Sequence, residues 1–275
     1  MKRILTIQDI SCLGQCSLTV ALPIISACGV ETCVLPSAVL STHTGGFKGY
    51  TFRDLTEDMP LIEAHWNKEN ITFDAVYTGY LGSAKQIAYV KSIYSSCKTD
   101  EAVLIVDPAM ADNGKLYVGF DMDFVANMRE LCAQSDYLLP NLTEACLLVG
   151  EEYREDYDEV YIDNLLAKLA TLTKGVIVMT GIGFEPGKTG VLVYKNGEKQ
   201  YYAHQKISKG CHGTGDIYAS AFVGGLMNGK TPFEAAKIAA DYTVLCIQAT
   251  QTDPGHWYGA RFETSLPALI KMLNS

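Results

Sequence analysis

Long apolar runs and clusters of positive charge are both missing from this sequence of 275 residues. No apolar stretch approaches the roughly 18 residues needed to cross a bilayer, so no membrane association is expected. The formal net charge is −9. Because binding to a phosphate backbone normally needs a basic face of Lys and Arg, a nucleic-acid partner is not expected either.

Cys-x-x-Cys pairs and a signal peptide are also missing. The nine cysteines are an odd number and are widely scattered, which favours reduced thiols over a disulfide framework or a zinc site. Residues 4–7 form a short apolar segment, but polar Gln8 and Asp9 follow where a secretory signal would have a small-residue cleavage site. We therefore expect a cytoplasmic protein.

What the sequence does contain is an alternation of short β-branched runs with longer segments of helical spacing, typical of parallel βα units. The apolar content of 48% is enough for a full core, and no change in composition marks a boundary, so we predict one domain over residues 1–275. The pattern predicts strands at 3–8, 32–36, 74–78, 102–106, 136–139 and 176–180. It predicts helices near 16–28, 84–97, 121–133, 143–149, 159–173, 215–228, 232–250 and 263–273.

An antiparallel hairpin is predicted after the last parallel strand. Residues 190–195 and 199–204 alternate around Asn196-Gly197, a strong hairpin signal. Open sheets of this kind bind ligands beyond the carboxyl ends of their parallel strands, so functional residues are expected directly after those strands.

A glycine-rich turn at Gly213-Thr214-Gly215-Asp216 leads into a helix of small residues. Glycines let backbone N–H groups converge, and a helix N-terminus adds partial positive charge, so the turn can hold an anion. A carboxylate at Asp216 can orient an acceptor hydroxyl and take its proton in phosphoryl transfer. From spacing alone, an ordinary N-cap turn with an acidic first-turn residue is an equal alternative.

Two further polar segments follow predicted strands. Asn141 and Glu144 are three residues apart on one helical face, and such a pair can hold a hydrated Mg²⁺, which uses few protein ligands. A capping motif explains the same spacing. Asp107 and Asp112 follow another strand, where two acids could face an anionic ligand only through a cation.

Together these segments resemble the ribokinase superfamily, whose Gly-Thr-Gly-Asp signature forms an anion hole, and matching elements follow in the same order over most of the chain. The resemblance implies a ribokinase-like three-layer α/β/α sandwich with a mostly parallel central sheet and an antiparallel hairpin extension. It also implies that Asp216 is the catalytic base and that Gly213, Thr214 and Gly215 form the anion hole.

The resemblance extends to the nucleotide side. Asn141 and Glu144 are similar to the N-x-x-E motif of that superfamily. Residues 107–112 resemble the Asp-Pro-Val-Met-Gly-Asp segment of pyridoxal and hydroxymethylpyrimidine kinases, with Ala109 and Ala111 replacing Val and Gly. The cofactors implied are ATP and Mg²⁺, with a requirement for a monovalent cation such as K⁺ left open. The implied ATP contacts are Asp107, Asp112, Asn141, Glu144, Thr180, Thr214 and Gly215, and the implied metal-side residues are Glu144 and Asp107.

On the acceptor side, residues 78–83 resemble the Gly-Tyr-Leu-Gly-Ser stretch of pyridoxal kinases, and residues 40–47 resemble their lid segment. An aromatic edge at Tyr80 suits a flat heterocycle. The resemblance therefore implies phosphorylation of the 5′-hydroxymethyl group of a B6 vitamer by a homodimer. The implied substrate contacts are Ser11, His43, Thr44, Tyr80 and Asp216.

Two other functions stay open. Hydroxymethylpyrimidine kinases share the Asp-Pro and Gly-Thr-Gly elements and accept a similar flat ring. A non-catalytic vitamin-binding protein on the same fold is the second alternative, although all the catalytic residues are present. The near match to a Walker A loop at residues 181–189 is rejected, because its glycine spacing is wrong and a β-like run follows it.

Overall fold

The computed structural model describes residues 1–207, 211–253 and 255–275 as alternating strands and helices. The strands are β1 (Arg3–Ser11), β2 (Glu31–Leu40), β3 (Phe52–Asp54), β4 (Phe73–Thr78), β5 (Lys98–Val106), β6 (Ala111–Asp112), β7 (Lys115–Leu116), β8 (Tyr137–Leu138), β9 (Val176–Ile182), β10 (Lys188–Lys195) and β11 (Glu198–Gln205). The helices are α1 (Leu18–Ala27), α2 (Met59–Lys68), α3 (Ala84–Ser96), α4 (Met122–Cys132), α5 (Leu142–Val149), α6 (Glu159–Leu172), α7 (Thr214–Met227), α8 (Pro232–Gln251) and α9 (Leu266–Leu273).

A nine-stranded sheet runs through the molecule in the order β11-β10-β9-β8-β5-β4-β1-β2-β3. Neighbours from β2 to β9 pair in parallel, whereas β3, β10 and β11 pair antiparallel to their neighbours. β6 and β7 form a separate small hairpin. Every strand and helix predicted from the sequence is present, and the predicted fold class is confirmed.

Two apolar cores cover the two faces of this sheet. One contains side chains of α3, α4, α5 and α6, and the other contains those of α1, α7, α8 and α9. Successive strand residues point to opposite faces, so Ile4 belongs to one core and Leu5 to the other. Parallel strands covered on both faces read as nearly continuous apolar runs, which explains why their positions were predictable.

The elements missed from the sequence are those with little buried surface. All three residues of β3 are exposed, and only Met59 and Glu63 of α2 are buried. β3 is too short to show a periodic pattern, whereas α2 carries Met59, Ile62 and Trp66 at helical spacing, a pattern that the sequence analysis overlooked. None of the helices in the described ranges combines the length and apolarity that a bilayer-spanning segment needs.

Backbone hydrogen bonds also join the segments that follow the carboxyl ends of neighbouring central strands. The Asp107 N–H donates to the Thr78 carbonyl at 3.0 Å, and the Thr180 N–H donates to the Pro140 carbonyl at 3.1 Å. Asn141 also forms an isolated parallel bridge with Thr180. The polar segments that follow β4, β5, β8 and β9 therefore meet at one edge of the sheet.

Candidate active site

The glycine-rich turn forms the N-terminus of α7 as predicted. Gly213 is its N-cap residue with φ 75°, and a Cβ atom there would lie 1.7 Å from the Gln15 carbonyl oxygen. Both the left-handed backbone and the close approach require glycine. The first N–H groups of a helix have no intrahelical partner, so those of Thr214 and Gly215 are available to an anion.

Asp216 lies in the first turn of α7, half-buried beside this anion site. Burial raises the pKa of its carboxyl to about 7; a hydrogen bond from the Ser17 backbone N–H opposes the rise, and the charges of Asp107 and Asp9 add to it. A general base works best when its pKa lies near the ambient pH. Asp216 therefore has the position and the acidity of a base at neutral pH.

Asn141 and Glu144 form a reciprocal capping box at the start of α5. The Asn141 N–H donates to Glu144 Oε2 at 2.9 Å, and the Glu144 N–H donates to Asn141 Oδ1 at 3.0 Å. The same side chains hold the segment after β5, because Met110 N–H donates to Glu144 Oε1 and Asn141 Nδ2 donates to the Ala111 carbonyl. The motif thus joins two loops as well as capping a helix.

Glu144 and Asp107 are neighbouring acids in this corner. Burial raises the pKa of Glu144 to about 7 against three opposing backbone hydrogen bonds. The pKa of Asp107 also rises, because of burial and the nearby charge of Glu144. Asp107 Oδ1 accepts the Ala109 N–H at 3.1 Å, and Ala109 has φ 34°, a conformation rare outside glycine.

Asp112 lies apart from these acids. It is exposed, and its carboxylate accepts the N–H and the side-chain amide of Asn113 at 2.8 and 2.9 Å in the β6–β7 hairpin. Its charge nevertheless contributes to the raised pKa of Glu144. Asp112 is therefore near the nucleotide side without being packed into it.

The carboxylates of Glu144 and Asp107 suit a hydrated magnesium ion that uses few protein ligands. The described residues contain no group of three or more His, Cys, Asp or Glu side chains arranged to enclose a metal. Glu144 is buried and Asp107 is half-buried, and neither forms an ion pair within the part of the chain that the structure describes. Mg²⁺ commonly keeps several waters and binds through one or two carboxylates together with substrate phosphates, and these residues match that arrangement.

Tyr117 is a site residue that the sequence analysis missed. It lies just after β7, and its N–H donates to the Met110 carbonyl at 2.9 Å. Its side chain is 41% exposed, and the charges of Glu144, Asp107, Asp112 and Asp216 add to the effect of partial burial in raising its pKa. No periodic pattern surrounds it; only its short distance in sequence from Asp112 could have drawn attention to it.

Asp9 is a buried acid near the carboxyl end of β1 that the sequence analysis did not single out. Ser11 is buried, and its hydroxyl donates to Asp9 Oδ2 at 3.2 Å. Tyr80 is half-buried and stacks on Phe120 at a centroid distance of 5.4 Å. Burial raises the pKa of the Tyr80 hydroxyl, and the charge of Asp9 adds to the rise.

His43 fixes residues 40–47, the segment that resembles a lid, through hydrogen bonds to backbone groups. The Gly45 N–H donates to Nδ1 at 3.0 Å, so Nε2 carries the hydrogen and donates to the Tyr258 carbonyl at 2.8 Å. The His43 ring also lies 5.2 Å from that of His212, next to the anion-site turn. Both nitrogens are thus engaged with backbone groups, while the neighbouring Thr44 is exposed.

A cavity of about 360 Å³ opens directly after Thr180. Phe184, Lys188 and Lys206 are among its lining residues. It lies at the connection between β9 and β10. Residues 181–189, which nearly match a Walker A loop in sequence, lead here into strand β10 and not into a helix. Three acids, Glu155, Asp156 and Glu185, also line it, and Lys188 forms an ion pair with Glu185.

Comparison with known proteins identifies the family of this site. Residues 22–261 match the family described as phosphomethylpyrimidine kinase. The chain belongs to the phosphomethylpyrimidine kinase family.

Solved structures of similar proteins agree with this membership. A candidate phosphomethylpyrimidine kinase from Bacteroides thetaiotaomicron, crystallised with pyridoxal, is 36% identical with a TM-score of 0.92 and covers 98% of this chain and 95% of its own. A pyridoxal kinase from Lactobacillus plantarum is 30% identical with a TM-score of 0.92 and covers 99% and 98%.

Curated sequences point the same way. The pyridoxal kinase PdxY of Actinobacillus succinogenes is 29% identical over 88% of this chain and 86% of its own length. The resemblance to pyridoxal and hydroxymethylpyrimidine kinases of the ribokinase superfamily, inferred from sequence, is confirmed. The roles of individual site residues in this phosphomethylpyrimidine kinase family member stay predictions.

Replacing Gly213 by Ala should cost more stability than the strain of placing a non-glycine residue at a positive φ. Gly29 has a similar φ of 79°, but no atom lies within 4 Å of the position that a Cβ would take there, so Gly29→Ala isolates the backbone cost, about 1 kcal/mol. Gly213→Ala adds the collision with Gln15 and should lower the free energy of unfolding by at least ~2 kcal/mol in denaturant titrations. Equal losses in the two variants would contradict the close approach.

Replacing Asp216 by Asn should stabilise the protein at alkaline pH. The folded-state pKa of about 7 lies above the ordinary value of 3.8, so the folded state binds the proton more tightly and stability falls as the pH rises between these values. Asp216→Asn removes this penalty. Its melting temperature should exceed that of the wild type by about 2 to 4 °C at pH 8, and the difference should shrink towards pH 5. A difference that does not change with pH would contradict the raised pKa, and Asp100→Asn, at an exposed carboxyl, is the control.

Proposed function

We propose that this protein transfers the γ-phosphate of ATP to the 5′-hydroxymethyl group of a B6 vitamer, giving the 5′-phosphate. The observation that carries the proposal is Asp216, a carboxyl with a pKa of about 7 beside a helix N-terminus. Similar proteins named pyridoxal kinase and a similar chain crystallised with pyridoxal support the choice of acceptor.

In the proposed reaction, the oxygen of the acceptor hydroxyl attacks the γ-phosphorus while Asp216 accepts the hydroxyl proton. The bond between the γ-phosphorus and the β–γ bridging oxygen breaks, and ADP is the leaving group. The N–H groups of Thr214 and Gly215, which Gly213 aims at the phosphate, stabilise the charge on the moving phosphoryl group. Because these donors belong to a helix terminus that is already folded, they need no rearrangement during the transfer.

On the nucleotide side, Thr180 and the cavity that follows it bind ATP. Glu144 and Asp107 hold hydrated Mg²⁺, with Asp112 contributing charge from the hairpin and Asn141 fixing the loop geometry. When bound, the metal neutralises charge on the phosphate oxygens. The raised pKa values of Glu144 and Asp107 favour this assignment, because a nearby cation stabilises the ionised carboxylates.

The acceptor ring lies beside Tyr80 in the pocket that contains Ser11, with Thr44 and His43 above it in the lid. Offset stacking suits a flat heterocycle against the Tyr80 and Phe120 rings. His43 contributes by fixing the lid conformation through Gly45 and Tyr258. The pocket is therefore closed by elements that also contact the anion-site turn.

Phosphorylation of a hydroxymethylpyrimidine is the second candidate. The family description and the name of the Bacteroides thetaiotaomicron relative favour it. The same base, anion site and nucleotide side would serve either acceptor, so the choice depends on the ring pocket alone. A homodimer in the cytoplasm completes the proposal; the exposed edge strand β3 offers a surface for pairing.

The acceptor is tested by measuring ADP release from Mg-ATP with pyridoxal, pyridoxamine, pyridoxine, hydroxymethylpyrimidine, ribose and adenosine. We expect turnover with B6 vitamers and a kcat/KM at least about tenfold higher than with the pyrimidine. Higher kcat/KM with the pyrimidine would favour the second candidate. A thermal shift with vitamer but none with Mg-ATP, together with no turnover, would instead indicate a non-catalytic binder.

Asp216→Asn should lower turnover by several orders of magnitude while leaving ATP binding nearly unchanged, because the amide cannot accept the proton. In the wild type, kcat/KM for the acceptor should fall as the pH drops through about 7, the pKa of the Asp216 carboxyl in the enzyme without bound substrate. Initial rates between pH 5.5 and 9 measure this. A flat profile with normal turnover in Asp216→Asn would remove Asp216 from the mechanism.

A further inference from the structure

Gln86 is a buried amide at the start of α3, and the reaction described above gives it no role. It is 1% exposed, whereas glutamine side chains mostly lie at protein surfaces. Its backbone N–H donates to the hydroxyl of Ser83, the N-cap residue of α3, at 3.3 Å. Ser83 and Gln86 thus have the spacing of a capping box, in which the second side chain reaches back to the backbone N–H of the N-cap residue.

The side chain of Gln86 departs from that pattern. Its Oε1 accepts the N–H of Gly82 at 2.7 Å, one residue before the N-cap and two residues after Tyr80. Its amino group, which a capping glutamate lacks, donates to the Ser37 carbonyl at 3.0 Å and to the Thr56 hydroxyl at 2.8 Å. One amide therefore joins the loop before α3, strand β2 and the segment that follows β3.

Ser37 completes this network at Tyr80. It is fully buried in β2, and its hydroxyl donates to the Tyr80 carbonyl at 3.3 Å. The backbone of residues 80–82 is therefore held at both ends, at Tyr80 by Ser37 and at Gly82 by Gln86. Because Gln86 also bonds to Ser37, the two anchors are one connected unit, and buried polar networks that are fully bonded make a structure rigid.

The position of the Tyr80 ring depends on the backbone from which it projects. The ring stacks on Phe120 at a centroid distance of 5.4 Å and an interplanar angle of 28°, and the proposed acceptor ring lies beside it. A displacement of about 1 Å is enough to weaken the positioning of a bound group. Asp216 and the anion-site turn belong to α7, which is a different element, so the chemical step would keep its groups.

We infer that Gln86 is a positioning residue for acceptor recognition, which fixes the Tyr80 segment through Gly82 and Ser37. This inference rests on the proposed function and deepens it. Binding of the acceptor ring then depends on a buried amide that acts through Tyr80, whereas transfer of the phosphoryl group depends on α7.

The first test removes the amide and keeps the length of the side chain, in Gln86→Met. We expect KM for pyridoxine to rise about tenfold, with kcat within about threefold and KM for ATP within about twofold of the wild type. Initial rates of ADP release from Mg-ATP measure these constants, with hydroxymethylpyrimidine as the acceptor if the wild type prefers it. A lower kcat with an unchanged acceptor KM would overturn the inference.

Ile87→Val is the matched control on the same helix. Ile87 is 1% exposed and lies in one of the two apolar cores, so the loss of one methylene group lowers stability without touching the network. Its KM values for pyridoxine and ATP should stay within about twofold of the wild type. A rise in the pyridoxine KM equal to that of Gln86→Met would show that a general loss of stability produces the effect, and the inference would be wrong.

Gln86→Glu separates positioning from helix capping. A carboxylate keeps an oxygen for the Gly82 N–H and suits a helix N-terminus, but it cannot donate to the Ser37 carbonyl. The positioning role predicts that KM for pyridoxine rises at least about fivefold in this variant. A wild-type KM would mean that Gln86 only caps α3, and the inference would be overturned.

A double-mutant cycle shows whether Gln86 acts through Tyr80. In the Tyr80→Ala background, Gln86→Met should change KM for pyridoxine by less than about twofold, because the ring that it positions is gone. The same tenfold effect in both backgrounds would show that Gln86 acts by another route and would contradict the inference.

Ser37→Ala decides the question if the Gln86 variants do not fold. It removes only the hydroxyl that donates to the Tyr80 carbonyl, and it should raise KM for pyridoxine about threefold with kcat unchanged. An unchanged KM would overturn the inference and leave the proposed function intact. Absence of turnover by the wild type with every acceptor would overturn the proposed function itself, so the two failures are distinguishable.

Discussion

The exclusion of water from acidic side chains at one edge of the sheet is the constraint on which the site depends. Asp9, Asp107, Glu144 and Asp216 all have raised pKa values, and burial is the largest cause in each case. The charges of neighbouring acids add to the rise for Asp107, Glu144 and Asp216. A folded protein tolerates such a cluster when a ligand supplies positive charge, as the proposed Mg²⁺ would do.

Backbone strain supports this arrangement. Gly213 must be glycine because the Gln15 carbonyl occupies the place of a side chain. Ser17 and Ala109 adopt positive φ values without being glycines, and each lies directly beside one of the acids. Strain of this kind persists only where the surrounding structure holds it, and here the two packed cores on either side of the sheet provide that support.

Many of the candidate site residues could be predicted from local sequence patterns, because each motif is short and lies at the end of a strand. The turn before Asp216 and the Asn141–Glu144 pair could be located by spacing, and the structure brings them to one edge. Spacing could not separate capping from ligand binding at Asn141, and the structure shows the capping box. His43 shows the same ambiguity, since both its nitrogens bond to backbone groups.

Tyr117 and Asp9 were missed for different physical reasons. Tyr117 lies after a two-residue strand without periodicity, and its backbone contact with Met110 arises from the hairpin fold. Asp9 reads in sequence as a polar residue ending an apolar run, and only the folded structure shows that it is buried and accepts a hydrogen bond from Ser11.

The sequence by itself determined the order of strands and helices, the parallel sheet and the glycine turn, because periodicity and backbone freedom are local properties. Tertiary structure alone decided which acids share a pocket, which are buried, and how far their proton affinities rise. Those properties depend on distances between segments far apart in the chain and on the water that their packing excludes.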